Sequence, residues 1–139
     1  MKKIALDRLA AVAAVTALPT TRAQRLRRWR DLLLQQGDRT LRPLLHLEFR
    51  DPDDRAQCRA ENSPLAVALA DPVLRAAGLQ GDTVGHAEAF FGLNARQTHY
   101  LLCDCHYMGA MGASRVARRI DVLAHRNPLA KAWLFLQAA

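Results

Sequence analysis

Apolar residues in this chain recur mostly at intervals of three and four rather than two, the spacing that lines one face of a helix. Leu26, Trp29 and Leu33 make one such stripe, and Val116, Ile120 and Leu123 make another. Local chemistry marks the ends. Lys3 to Leu18 predicts a first, Ala-rich helix, stopped by Pro19 because the residue before a proline is pushed out of helical geometry. Thr21 and Gln24 have the spacing of a capping box, and Gly37 is a natural stop for the helix they open. Ser63-Pro64 and Asp71-Pro72 each set a capping residue before a proline at the first helical position, so each predicts a short helix, the second closed by Gly78. Asp82 predicts a helix that ends before Gly92. Asn94 predicts one over 95–108, Ser114 one reaching about His125, and Asn127-Pro128 a terminal helix that docks Trp133 and Phe135.

Two segments are less regular. In 41–50, Leu45, Leu47 and Phe49 alternate with polar residues as in a strand, while Leu41, Leu44 and Leu45 suit a helix starting near Pro43. A lone strand has no partner elsewhere in the chain, so helix is the expectation. Residues 51–62, DPDDRAQCRAEN, read as a polar connection.

Composition sharpens the fold class. Half of the 139 residues are hydrophobic, with Ala and Leu far ahead of Ile and Val, which favours helix over strand. The expectation is an all-α, single compact domain over 1–139, built of about seven or eight helices, several of them short.

Charge adds a candidate surface. The net charge of +7 comes almost wholly from arginine, and it is uneven. Residues 1–50 carry 11 positive and 4 negative side chains, 51–91 carry 3 and 7, and 92–139 carry 6 and 2. Such a pattern steers a protein towards nucleic acid, an anionic membrane surface or an acidic partner, or else folds the acidic middle against the basic ends. Three cysteines, Cys58, Cys103 and Cys105, are too few for a disulfide scaffold, which favours a reduced, cytoplasmic setting. Lys2 and Lys3 followed by the apolar run 9–18 also have the outline of an export signal over 1–23, the alternative localisation. That run is too short to span a bilayer.

Chemistry concentrates in the expected 95–108 helix. On an ideal wheel His99, Cys103 and His106 share a stripe, with Leu101, Leu102, Cys105 and Met108 on the apolar arc and Arg96, Gln97, Tyr100 and Asp104 opposite. A thiol between two imidazoles is a candidate nucleophile with His99 or His106 as base. The same trio is a candidate partial site for zinc or copper, completed by Cys58, Asp82 or His86. Packing is the plainer expectation, because free cysteine is among the most buried residue types.

Residues 87–101, AEAFFGLNARQTHYL, resemble the helix, glycine turn and second helix of a DNA-binding helix-turn-helix. Glu88 stands where that pattern wants a small residue, and Thr98 falls at its β-branched position. The resemblance implies that Arg96, Gln97 and Tyr100 meet base edges and phosphates, with Arg115, Arg118 and Arg119 as backbone contacts. Arg25 and Arg28 belong to a second basic helix face. The leading expectation is therefore a non-enzymatic, cofactor-free regulatory protein that binds an acidic protein surface or nucleic acid through arginines. The alternative is the Cys/His site, metal-binding or thiol-catalytic.

Overall fold

The computed structural model describes residues 18–43, 51–57, 59, 62–103, 107 and 110–125. Thr21 opens α1 (Arg22–Gln35) as expected: its hydroxyl accepts from the Gln24 N–H, and the Gln24 side chain reaches back to the Thr21 N–H. Gly37, at φ +59°, follows the last turn. The stripe Leu26, Trp29 and Leu33 is fully buried, and α7 (Ala113–Ala124) lies along α1 in the most extensive helix contact among the described residues. α7 is capped by Gly112, two residues before the expected Ser114 cap. Its N-terminus is tied to the chain after α1 by a short antiparallel bridge, Leu41 N–H to Met111 C=O and Ala113 N–H to Arg39 C=O, both 2.9 Å.

Three short helices cover another side. α2 (Pro52–Gln57), α3 (Pro64–Leu69) and α4 (Pro72–Ala76) each start at a proline placed after Asp51, Ser63 or Asp71. α2 corrects the expected polar connection over 51–62. Asp51-Pro52 carries the same signal as Asp71-Pro72, and the Asp51 carboxylate accepts from the Asp54 N–H at 2.9 Å. Trp29 joins the layers: its indole N–H donates to the Pro64 carbonyl at 2.9 Å, and its ring stacks on Phe91 with centroids 4.5 Å apart.

α5 (Val84–Phe91) is capped by Thr83, one residue later than expected, and closed by Gly92 in the left-handed region at φ +63°. α5 lies against α2, and a Cβ at Gly85 would stand 3.0 Å from that of Ala56. α6 (Ala95–Leu102) follows at once and packs on α7. Among the described residues the protein is thus mostly helical with almost no strand. The expected count of seven or eight helices is slightly off, because among the described residues only α1, α5, α6 and α7 are seven residues or longer, whereas α2, α3 and α4 are short, as several were expected to be, and stop after five or six. The helices expected over 3–18 and from Asn127, and most of 41–50, lie outside the described residues. Among the described residues no helix is long and apolar enough to cross a membrane.

Candidate functional site

The expected 95–108 helix is shorter than its apolar pattern. Asn94 and Gln97 form a reciprocal capping box that opens α6, but the helix ends at Leu102, and Cys103 is extended at φ −91°, ψ 134°. The cause is tertiary. A helix ends where its last carbonyls find partners other than the next turn. Here the guanidinium of Arg119 donates to the Tyr100 carbonyl at 2.7 Å, and the Tyr107 hydroxyl donates to the Leu101 carbonyl at 2.8 Å. Arg119 is itself 1% exposed and lies between two rings, 3.7 Å from the Tyr107 centroid and 4.6 Å from that of Tyr100. Burial pushes both tyrosine hydroxyls above their ordinary range.

Among the described residues the helical wheel therefore holds only as far as Leu102, and Cys103 lies beyond it. Cys103 is buried at 1% exposure, with its N–H on the His99 carbonyl, and His106, Cys105 and Cys58 lie outside the described residues. His86 is exposed and its ring nitrogen meets the Thr83 hydroxyl, while Asp82 faces Arg59 at 3.6 Å. Among the described residues no three His, Cys, Asp or Glu side chains converge as a metal site would require.

The helix-turn-helix outline is present locally, with Gly92 left-handed between α5 and α6 and Thr98 fully buried, its hydroxyl on the Asn94 carbonyl. Of the residues that the resemblance assigns to a nucleic acid, Arg96 is exposed, Gln97 is engaged in the capping box, and Tyr100 is half-buried against Arg119. Arg119 is a correction. It is buried and cannot reach a phosphate, because the Tyr107 ring packs over its guanidinium. Arg115 donates to the Ala110 carbonyl at 3.0 Å, and Arg118 is exposed.

The arginines of α1 are also largely used inside. Arg22 donates to the carbonyls of Gly92 and Leu123, and Arg25 to those of Pro19 and Phe90 while lying 4.2 Å over the Phe90 ring. Arg28 forms a two-pronged pair with Asp71 at 2.9 and 3.0 Å, and Arg30 bridges Asp31 and Asp121. Burial works to raise the Asp71 carboxyl, but the Arg28 hydrogen bonds and the Leu74 N–H outweigh it and hold it below the usual carboxylate range.

Five arginines remain. Arg27, Arg42, Arg75, Arg96 and Arg118 are exposed and make no side-chain bond among the described residues, whereas Asp38, Asp51 and Asp53 are exposed acids there without an ion pair. A feature without any sequence signal accompanies them. Between the outer edge of α1 and α3 runs an open groove of about 350 Å³, floored by Leu32, Ala66, Val67 and Ala70, with Arg39 and Asn62 at one end. Across the Arg28–Asp71 pair a second hollow of about 320 Å³ continues along α1 between Pro19, Arg27 and Val73.

Comparison with protein-family models, curated proteins and solved structures found no match to this chain.

Proposed function

We propose that this protein is a non-enzymatic binding module whose partner is an anionic macromolecule. The observation that carries the reading is the set of five exposed arginines without side-chain partners among the described residues, set against three exposed acids without an ion pair. Most arginines of α1, and Arg119 of α7, serve helix ends and buried acids. The remaining five leave a residual positive field, which raises encounter rates with oppositely charged surfaces. An acidic protein and a nucleic acid share the chemistry that such a field selects.

The test is a salt series of fluorescence anisotropy with three labelled probes: a DNA duplex, a single-stranded RNA and a Glu-rich peptide. One probe should bind, with affinity falling at least tenfold between 50 and 200 mM salt, a drop that several neutralised phosphates or carboxylates produce. Replacing all five arginines by Glu should abolish that binding while the circular dichroism spectrum is kept. Affinity indifferent to both salt and these substitutions would overturn the reading.

A further inference from the structure

The exposed arginines are not equal in their surroundings. Among the described residues of 92–125 the only acid is Asp121, held by Arg30 at 2.7 Å, so Arg96 of α6 and Arg118 of α7 stand among no free carboxylate of that stretch. The helix pair that presents Arg96 is tightly defined. The Glu88 carbonyl accepts from the N–H groups of both Gly92 and Leu93, Gly92 takes the left-handed conformation, and the Asn94 side chain caps α6, so only three residues join α5 to α6 and each has a fixed role. Phe91, Leu93, Thr98 and Leu101 are buried and seat the pair on the core. The side chains left exposed at the start of α6 are Asn94, Ala95 and Arg96.

We infer that α6 enters the major groove of duplex DNA by this leading end, with Arg96 donating to O6 and N7 of a guanine and Arg118 of the adjoining α7 meeting a phosphate. The inference rests on the anionic-partner reading above and names the partner's class. In a helix-turn-helix the second helix reads bases through its first residues, and a helix about 10–12 Å across fits a groove about 12 Å wide. Asn94 and Ala95 are short and let that end approach base edges. Gln97 is committed to the capping box and Arg119 to the Tyr100 carbonyl, so the readout falls to one guanidinium, and arginine on guanine is the commonest specific contact to a base. An acidic protein surface selects charge alone; a cation carried at the tip of a narrow helix end, with a second cation on the helix beside it, suits a groove walled by two phosphate chains.

The test is selection from a library of randomised DNA duplexes by the full chain, followed by anisotropy with the recovered sequence and with the unselected library. A guanine-containing motif should be recovered. Arg96→Ala should weaken the selected duplex at least fivefold, to the level of the library, because a lost bidentate contact removes discrimination at one base pair. Arg118→Ala should weaken both duplexes equally and reduce the salt slope by about one, and Arg27→Ala/Arg75→Ala should leave both within twofold. Salt-dependent binding with no motif recovered, or a motif that survives Arg96→Ala, overturns the inference and leaves the anionic-partner reading standing. So does tighter binding of a Glu-rich peptide or a single-stranded RNA than of any selected duplex. No salt-dependent binding of duplex, RNA or peptide removes both proposals.

Discussion

Arg115, Arg118 and Arg119 occupy i, i+3 and i+4 of one helix and look equivalent along the chain, yet they end in three different environments. Arg118 is exposed, Arg115 reaches back to the Ala110 carbonyl, and Arg119 is sandwiched between Tyr100 and Tyr107. The last turn of a helix leaves carbonyls unsatisfied and carries the negative end of the dipole, so a guanidinium is a good partner there. Arg22 serves the Gly92 and Leu123 carbonyls, Arg25 that of Phe90, and Arg119 that of Tyr100, each at the C-terminal end of a helix. Arg119→Ala should therefore cost about 2–4 kcal/mol, from a lost buried side chain and an orphaned carbonyl. Arg118→Ala should stay within about 0.5 kcal/mol. Urea unfolding of the two variants checks this, and equal effects would show that the two sites are alike after all. Nothing in the local sequence separates the two arginines, because what buries Arg119 is the return of Tyr107.

At the scale of elements, helix starts are more legible than helix ends. Thr21 with Gln24 and Asn94 with Gln97 act within four residues of themselves, so their effect is written locally. The same logic held for Asp71-Pro72 and applied equally to Asp51-Pro52, whose helix is hidden by a polar composition. The end of α6 is different, since Arg119 and Tyr107 that stop it come from later in the chain. The cap of α4 also makes a measurable prediction. Asp71 is depressed below its unfolded value, so its contribution is present above about pH 4, the ordinary carboxylate value, and is lost as pH falls through its folded value. Asp71→Asn keeps a capping side chain but removes the ion pair with half-exposed Arg28. Its unfolding free energy at pH 7 should fall by about 1 kcal/mol, with the gap to the parent closing below pH 4. A gap unchanged from pH 7 to pH 3 would show that the ion pair is not its source.

At the scale of the whole molecule, Trp29 is where the layers meet: it lies on α1, stacks on Phe91 of α5 and donates to Pro64 at the start of α3. Trp29→Ala should cost about 3–5 kcal/mol. That is a large part of the stability of a domain this size, so near-ultraviolet circular dichroism and urea unfolding should show one cooperative loss rather than local loosening. The basic N-terminal part and the acidic middle do meet, through Arg28 and Asp71, although Arg30 reaches the basic C-terminal part instead, at Asp121. By itself the sequence determined the helical class, the buried stripe Leu26, Trp29 and Leu33, and the helix starts at Thr21, Ser63, Asp71 and Asn94. Each of these depends on residues within one or two turns, where periodicity and capping act. The tertiary structure alone decided which arginines remain available, where α6 stops, that Cys103 is buried at a helix end, and that α1 and α3 enclose a groove. Those outcomes depend on groups tens of residues apart, and no local pattern encodes which distant carbonyl, ring or carboxylate a side chain will meet.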